Sequence, residues 1–365
     1  MLEEINVFYK PDPYDNGDGF SFGLDAEILP LKNKIPIYPH QSGLGQHRGE
    51  KAWANTYMDW HGDGFAFELC VKPSHCIELI CNYVASGLRF LSEKLNIERY
   101  EAPTIYTIPK QLFEDSPPQV KQLGCMPSFN VYSDRAKPKT LENDRTTGCH
   151  LHVSLPDKEF KDNTLVQCAI KWADVLCGNT WVLVSSLDND LEKRRRLAYG
   201  RAGEHRRTMY GDDTKYGFEY RVLPGQVLSH PVYLSMMLGL VRQAANLAIT
   251  TKKDPPSKWI DQARIAINNN DKDQALKLFE LIPFNDQFRV LVSWYRTRRL
   301  PSLSLNEWWR LSDYNLLYRG WYSLMRSHEV SCVCVYCASE EIRKIKFKEE
   351  KENQPTMKEN KSCAE

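Results

Sequence analysis

The sequence has almost no net charge and no long hydrophobic run, and each absence excludes a class of partner. Its 365 residues include 48 Lys and Arg against 47 Asp and Glu, which leaves a formal net charge of +1. Proteins that bind nucleic acid usually carry a basic excess, so the charge indicates no nucleic-acid partner. No apolar run reaches the ~18 residues that a membrane-spanning helix needs, so the sequence indicates no membrane partner either.

The sequence also lacks the marks of a secreted protein. The N-terminus carries Glu3 and Glu4 and has no apolar core of the kind that a signal peptide needs. The 11 cysteines are odd in number and lie mostly in apolar segments, as at Cys76 and Cys177. This distribution fits thiols in a reducing compartment better than a disulfide framework. The sequence therefore predicts a cytoplasmic protein.

The order of hydrophobic patterns along the chain predicts an α+β fold. Hydrophobic residues make up 42% and charged residues 26% of the chain, as in ordinary soluble proteins. Strand patterns come mostly first and helical patterns mostly later, which favours an antiparallel sheet. Strands are predicted at residues 20–29, 65–69, 148–155 and 218–223, and long helices at residues 74–95, 162–187 and 231–249.

Turn and cap residues set the predicted boundaries. Residues 62–64, Gly-Asp-Gly, predict a tight turn before the second strand. Ser74 is predicted as the N-cap of the first long helix. Residues 192–217 are basic and rich in glycine, and no helix or strand is assigned to them. The pattern beyond residue 256 is helical, and after residue 338 it becomes rich in Lys and Glu, which predicts a disordered tail.

Ionisable or metal-ligating side chains recur two residues apart in three of the predicted strands. The pairs are Asp25 with Glu27, His150 with His152, and Glu219 with Arg221. Residues i and i+2 of a strand point to the same face, so the members of each pair share a face. A further segment carries Asp63 and Glu68 at its two ends. A core face would be apolar, so a face with these groups is solvated, ligated or catalytic.

Two interpretations compete for the polar pairs. A single Asp/Glu pair on a surface strand is more often there for solubility, but Glu27 and Glu68 lie between apolar neighbours. Carboxylates in such surroundings need a partner charge or a metal, and oxygen-rich sites suit Mg²⁺ or Mn²⁺. The two histidines also suggest zinc, although their companions are carboxylates and arginines rather than thiolates.

The basic segment adds groups that suit a phosphate. Glycines let the backbone approach a ligand, and the forked guanidinium of arginine binds phosphate through two hydrogen bonds. The plainer interpretation is a solvated basic loop, but three Tyr-Gly steps and the adjoining Glu219 strand argue against it. Carboxylates for a metal and arginines for a phosphate together are what phosphoryl transfer requires. The residues of interest are Arg196, Tyr199, Gly200, Gly203 and Arg206.

In their order and spacing, these motifs resemble the carboxylate–amine ligases of the glutamine synthetase fold. The similarity is greatest to the phage-encoded type 2 COOH–NH₂ ligases and more distant to the glutamate–cysteine ligases. It spans roughly residues 20–240. Two departures are Ala26, where relatives often have proline, and an insertion at residues 212–215 before the last motif.

The resemblance implies a curved antiparallel sheet, a half-barrel, backed by long helices. On this basis we expect a ligase catalytic domain at residues 1–250 and a mainly helical part at residues 251–338. We expect residues 339–365 to be a charged, disordered tail. If the protein is phage-encoded, as the nearest relatives are, its cytoplasmic location is that of the host.

The resemblance also implies a reaction and the residues that perform it. An ATP-dependent enzyme with Mg²⁺ or Mn²⁺ would join a small-molecule or peptide carboxylate to an amine through an acyl phosphate. The implied metal ligands are Glu27, Glu68 and Glu219, with one of His150 or His152 joining a metal or a phosphate. The implied nucleotide contacts are Arg196, Tyr199, Gly200, Gly203, Arg206 and Arg221. Arg206 and Arg221 would stabilise the transferring phosphoryl group, and Asp63 would take a proton from the amine.

Three alternatives stay open at this point. A phosphotransferase of the same fold would phosphorylate its substrate and stop there. A protein without catalysis, such as a structural component of a virion, is the alternative outside enzymes. Near the C-terminus, Cys332, Cys334 and Cys337 after His328 suggest a zinc site, but the alternating valines favour a strand that carries thiols.

Overall fold

The computed structural model is a mixed α+β protein with an antiparallel sheet and many helices, which confirms the predicted class at that level. It describes Ile5 and residues 19–46, 52–55, 57–97, 99–121, 128–133, 142–155, 158–185, 189–210 and 215–297. The predicted tail and the Cys332–Cys337 segment lie outside these residues. The curvature of the sheet into a half-barrel and the domain boundary at residue 250 stay predictions.

The described residues form twelve strands. They are β1 (Ser21–Lys32), β2 (Ile35–Pro36), β3 (Trp53–Ala54), β4 (Met58–Asp63), β5 (Ala66–Ser74), β6 (Arg99–Glu101), β7 (Ile105–Thr107), β8 (Phe129–Asn130), β9 (Asp144–Thr146), β10 (Cys149–Leu155), β11 (Glu204–Tyr210) and β12 (Lys215–Tyr220). The main sheet has the order β3-β4-β5-β1-β10-β12-β11-β8, and β2 and β6 also pair with β1. Strands β7 and β9 form a separate small sheet. The central strand β1 pairs antiparallel with both β5 and β10.

Eleven α-helices accompany the strands in the described part of the chain. They are α1 (Pro39–Ser42), α2 (Ile77–Leu95), α3 (Lys110–Asp115), α4 (Pro118–Lys121), α5 (Asn163–Ala173), α6 (Asn179–Val184), α7 (Asn189–Ala198), α8 (Pro231–Thr251), α9 (Ser257–Asn269), α10 (Lys272–Leu281) and α11 (Asp286–Thr297). A π-helical turn, Asp174–Gly178, joins α5 to α6 into one continuous helix, which ends at Val184, earlier than the predicted end at residue 187.

Alternation along the strands gives the sheet one apolar face. In β1, Leu24, Ala26 and Ile28 are buried in one core with residues of α2 such as Val84 and Leu88. Helix α2 packs on β5, α8 packs on β10, and α5 packs on α8. Burial of each large aliphatic side chain in this core contributes about 1.5–3 kcal/mol. The helices therefore determine which face of the sheet is internal.

The longest described helix, α8, is long and apolar enough to cross a membrane by length and composition alone. Its most apolar stretch has a mean hydropathy of 1.3, and 78% of that stretch is buried inside the fold. Helices α2 and α5 both pack against it. Core helices of soluble proteins pass the same test, so this helix is weak evidence for a membrane span.

Three predicted boundaries are wrong. Strand β5 continues to Ser74, and α2 begins at Ile77 after Cys76; the Ser74 hydroxyl accepts a hydrogen bond from the Cys76 N–H instead. The reversal predicted at residues 62–64 lies two residues later, because Asp63 is still paired with Ala66. The strand predicted at residues 218–223 is β12, which starts at residue 215 and ends at Tyr220.

The basic segment at residues 192–217 has regular structure that the sequence analysis missed. It contains most of α7 and the whole of β11. The buried side chains of α7 are all charged. Basic residues obscured the pattern of α7, because its inward-facing side chains are Glu192, Arg195 and Arg196 rather than apolar ones. Charge pairing replaces hydrophobic burial along this helix.

Candidate active site

The register of the strands gathers the polar pairs on one face of the sheet. Directly opposite residues in an antiparallel pair point to the same face. Opposite residues across the sheet are Glu68 with His61, Glu27 with Glu68, Asp25 with His150, His152 with Glu219, and Glu219 with Arg206. The polar face therefore runs from β4 to β11 and is the reverse of the face that the helices cover.

Three carboxylates form the first group on this face, which we call the carboxylate triad. Glu27, Asp63 and Glu68 each place one oxygen within 4.8 Å of the other two. The Glu27 carboxylate also accepts a hydrogen bond of 2.7 Å from the Gly148 N–H, which fixes its orientation. Strands β1, β4 and β5 supply one residue each, and the tight β4–β5 reversal brings Asp63 back to Glu68.

Burial and mutual repulsion disfavour the charged forms of the carboxylate triad. Burial raises the pKa of Glu27 well above its usual value, and the Asp63 and Glu68 charges raise it further. Burial also raises the pKa of Glu68, to about 7, although a hydrogen bond from His61 opposes this. A divalent cation among the three would supply the missing counter-charge.

Three further groups adjoin the carboxylate triad: Asp59, His61 and Cys70. The His61 Nε2 lies 2.6 Å from Glu68 Oε2, and its Nδ1 lies 3.6 Å from Asp59 Oδ1. The Cys70 Sγ is 3.8 Å from His61 Nδ1. Burial lowers the pKa of His61, but the two carboxylates outweigh burial and raise it to about 10. The sequence analysis missed this group, although Asp59, His61 and Asp63 alternate along β4.

The second group on the polar face is centred on Glu219. Its Oε1 lies 2.6 Å from Arg221 Nη1 and 3.1 Å from His150 Nδ1. Its Oε2 lies 3.5 Å from Arg206 Nη1. Burial alone would raise the pKa of Glu219, but the His150 hydrogen bond and the Arg221 charge hold it well below its usual range. Glu219 is therefore ionised and pairs with the two arginines.

Tyr199 closes this second group from the side of the basic segment. Its hydroxyl contacts His150 Nε2, and the Arg221 guanidinium lies over its ring at 5.2 Å. Burial and the Arg221 charge lower the pKa of His150, so the imidazole is neutral at neutral pH. Neutral His150 can donate from Nδ1 to Glu219 while its Nε2 faces the tyrosine hydroxyl.

Asp25 and His152 connect the two groups. The His152 Nε2 lies 3.2 Å from Asp25 Oδ2. Asp25 also places an oxygen within 4.8 Å of ligand atoms of Glu68 and Cys70, beside the carboxylate triad. The predicted metal ligands thus fall into two sets, because Glu27 and Glu68 belong to the carboxylate triad whereas His150 and Glu219 belong with the arginines.

Two glycines shape the loop that carries Tyr199 to the site. Gly200 and Gly203 have φ angles of 76° and 82°, in the left-handed region that L side chains rarely adopt. The Gly200 N–H donates to Glu204 Oε2 at 2.8 Å, and the chain then enters β11. This reversal between α7 and β11 places Arg206 opposite Glu219. The glycines therefore shape the backbone, and their contact with a nucleotide stays a prediction.

Arg196 lies away from the groups on the polar face. Its Nη2 is 2.8 Å from Glu192 Oε1, and its Nη1 donates to the Val222 carbonyl at 2.7 Å. Arg195 makes the same two partnerships, and all three charged side chains are buried. These contacts tie α7 to the chain after β12. The nucleotide contact predicted for Arg196 stays a prediction.

The donor set fits a divalent cation with a preference for oxygen. Mg²⁺ and Mn²⁺ bind carboxylates and water, and the carboxylate triad offers three such groups in one place. Arg206, whose side chain is 28% exposed, is the more accessible guanidinium for a phosphate, since Arg221 is buried. Both arginines share the face with the carboxylate triad. A phosphate bound there would be attracted by the arginines and would need a cation between it and the carboxylates.

Comparison with solved structures finds similar chains. No family model matches the chain, and no curated protein sequence matches it. A chain from the crystal structure of the complex between prokaryotic ubiquitin-like protein Pup and its ligase PafA is similar, with a TM-score of 0.40 and 11% identity. The match covers 80% of this chain and 63% of that chain.

Proposed function

We propose that the protein is an ATP- and divalent-metal-dependent ligase that joins a carboxylate to an amine. The observation that carries the proposal is the carboxylate triad on the same sheet face as Arg206 and Arg221. Oxygen ligands for a cation beside guanidinium groups for a phosphate meet the electrostatic needs of phosphoryl transfer from a nucleotide. The motif order resembles that of carboxylate–amine ligases, and on this basis we propose that a carboxylate accepts the phosphoryl group.

In this proposal, Glu27, Asp63 and Glu68 hold the cation. A cation bound there would neutralise phosphate oxygens and help to orient the triphosphate. Arg206 contacts the transferring phosphoryl group, and Arg221 is held in place by Glu219 and Tyr199. Asp63 belongs to the carboxylate triad, so we propose it first as a cation ligand, and its role as a base toward the amine stays a prediction.

The proposed reaction has two balanced steps. An oxygen of the substrate carboxylate attacks the γ-phosphorus of ATP, and ADP leaves, which yields an acyl phosphate. A neutral amine then attacks the acyl carbon, phosphate leaves, and the nitrogen gives up one proton to form the amide. The buried arginine and the partly exposed one stabilise the charge that builds on the phosphoryl oxygens. We propose that this occurs in the cytoplasm, with a small-molecule or peptide carboxylate.

Removal of one charge from the carboxylate triad tests the proposal. Glu27→Gln keeps the shape of the side chain but removes a cation ligand, so Mg²⁺-dependent ATP consumption should fall by about 100-fold or more. Glu93→Gln, at an exposed position of α2, is the matched control and should leave ATP consumption unchanged. ATP consumption that is equal in Glu27→Gln and in the control would contradict the proposal.

A further inference from the structure

We propose that Asp59, His61 and Cys70 form a second cation site, for a borderline ion such as Zn²⁺. The proposal does not depend on the ligase function, because it concerns binding alone. Each of the three residues places one ligand atom within 4.8 Å of the other two. Asp59 and His61 lie two residues apart in β4, and Cys70 lies in β5 directly opposite Asp59. The site therefore stands on two paired strands of the sheet.

The separation between His61 and Asp59 is close to that of a tetrahedral zinc site, and the Cys70 thiol lies nearby. Bonds of about 2.0–2.1 Å to nitrogen and oxygen and about 2.3 Å to sulfur separate nitrogen from oxygen by about 3.4 Å and nitrogen from sulfur by about 3.6 Å. In the structure, His61 Nδ1 is 3.6 Å from Asp59 Oδ1 and 3.8 Å from Cys70 Sγ. The Asp59 separation exceeds the ideal one by only about 0.2 Å. Cys70 Sγ is also 3.9 Å from His61 Nε2, so the thiol lies beside the imidazole ring and would have to turn toward Nδ1 to ligate the cation.

The second nitrogen of His61 completes a recurrent arrangement of metal sites. A histidine that ligates zinc usually donates its other N–H to a carboxylate, which fixes the tautomer. Here Nε2 lies 2.6 Å from Glu68 Oε2, so that Nδ1 is the nitrogen turned toward Asp59. Glu68 has two oxygens, and one stays available to the carboxylate triad. The two cation sites would therefore share the His61–Glu68 hydrogen bond.

The burial of the group supports ligation. Asp59 Oδ1 is buried and accepts no hydrogen bond from the described residues, although its side chain is 25% exposed elsewhere. His61 and Cys70 are 6% and 3% exposed. A cation at this position would satisfy the buried oxygen and keep one coordination position toward the Asp59 side for water. Thiolate and imidazole donors select Zn²⁺ or Co²⁺ over Mg²⁺, so this site and the carboxylate triad would differ in the ion they bind.

The competing arrangement is a protonated His61 paired with Asp59 and Glu68, which needs no metal. Titration of the full chain with Co²⁺ under reducing conditions distinguishes the two, because a Co²⁺–thiolate bond gives a charge-transfer absorption. We expect a charge-transfer band, and we expect excess Mg²⁺ to leave it unchanged because Mg²⁺ does not displace the bound Co²⁺. Cys70→Ser should remove one bound Co²⁺ per chain and the matching part of the band. Asp59→Asn should keep the sulfur band and weaken Co²⁺ binding by about 10-fold or more.

Cys168→Ser is the matched control, since Cys168 is also buried and donates to the Lys253 carbonyl, which serine can still do. Circular dichroism and thermal unfolding of each variant establish that it is folded. A Co²⁺ stoichiometry and charge-transfer intensity that are unchanged in folded Cys70→Ser would overturn the proposal. Absence of the band from the unaltered protein would overturn it as well. Neither readout requires ATP turnover, so failure of the proposed ligase function would leave this test intact.

Discussion

Burial of single carboxylates sets the charge of the carboxylate triad. Burial raises the pKa of Glu68 from 4.5 to about 7, so the folded protein holds this proton more tightly than the unfolded chain does. Between these values Glu68 binds fewer protons in the unfolded state, so its contribution to the stability of the metal-free protein falls as pH rises. Ionised Glu68 thus destabilises the metal-free fold, and a bound cation offsets that effect.

Glu68→Gln should therefore flatten the pH dependence of stability. We expect the metal-free variant to lose less free energy of unfolding between pH 4.5 and 7 than the original protein, by about 1–3 kcal/mol. Urea unfolding in the presence of a chelator measures both curves. Groups away from Glu68 cancel in the difference, whereas Glu27 and His61, whose pKa values Glu68 raises, contribute to it. Parallel curves would show that Glu68 is not perturbed by burial.

Arg206 and its neighbour Arg207 give a second test at the residue scale. Arg206 faces Glu219, whereas Arg207 is exposed on the other side of β11 and donates to the Lys161 carbonyl at 2.8 Å. Arg206→Lys keeps the charge but loses the forked geometry, so ATP turnover should fall by about 10²–10³-fold with little change in stability. Arg207→Lys should retain full turnover. Equal turnover in the two variants would remove Arg206 from the active site.

Spacing alone predicted much of the polar face. The i, i+2 rule placed Asp25 with Glu27 and His150 with His152 on common faces, and the observed register agrees. The same rule applies to His61 in β4, but no strand was predicted before the turn at residues 62–64, so His61 was not identified. The contact of His61 with Glu68 depends on where the reversal falls, and Gly-x-Gly spacing left that position open by two residues.

At the scale of elements, the loop between α7 and β11 determines where the arginines lie. A Cβ at Gly203 would lie 2.6 Å from the Tyr132 ring, which is itself held by a hydrogen bond to Asp174. Gly43 has a similar φ of 79° but open space around it. Gly43→Ala should cost only the backbone strain of about 1–2 kcal/mol.

Gly203→Ala should cost at least about 1 kcal/mol more than Gly43→Ala, because the tyrosine ring must also move. It should lower ATP turnover as well, since β11 follows directly. Chemical unfolding and turnover of the two variants, measured side by side, check both effects. Equal destabilisation would show that the loop relaxes without disturbing Tyr132.

The buried charges of α7 give the second prediction for an element. Glu192 accepts from Arg195 and pairs with Arg196, and all three are almost fully buried. Glu192→Gln leaves two buried guanidinium groups without their counter-ion, so it should destabilise the protein by about 3–5 kcal/mol. Asp190→Asn, at an exposed position in the first turn of the same helix, should cost no more than about 1 kcal/mol. Similar unfolding midpoints for both would contradict a structural role of this cluster.

The interiors of elements were easier to predict than their ends. Helix α2 buries Cys81, Val84, Leu88 and Leu91, as their spacing predicts, yet its start was placed at Ser74. Cap residues compete with strand pairing, and Ser74 still pairs with Phe22 in the sheet. Helix α7 was not predicted because the side chains on its inner face form ion pairs and not apolar contacts. Its sequence therefore has no helical repeat of hydrophobic residues.

At the scale of the whole molecule, the active site depends on strand order. Strand β1 lies between β5 and β10, so its Asp25 and Glu27 reach groups that follow by more than a hundred residues, such as His150. The pattern of residues within each strand does not reveal the order of the strands in the sheet. The sequence alone therefore could not separate the carboxylate triad from the Glu219 group. The antiparallel α+β class, in contrast, follows from the order of strand and helix patterns.

The central claim is that this face of the sheet uses ATP to join a carboxylate to an amine. The most direct measurement incubates the protein with ATP, Mg²⁺ and pooled amino acids, polyamines and short peptides, and identifies the products by mass spectrometry. We expect ADP and phosphate together with a product lighter by one water than its two substrates combined. ATP consumption that yields only a phosphorylated compound, or no ATP binding in the presence of Mg²⁺, would contradict the claim.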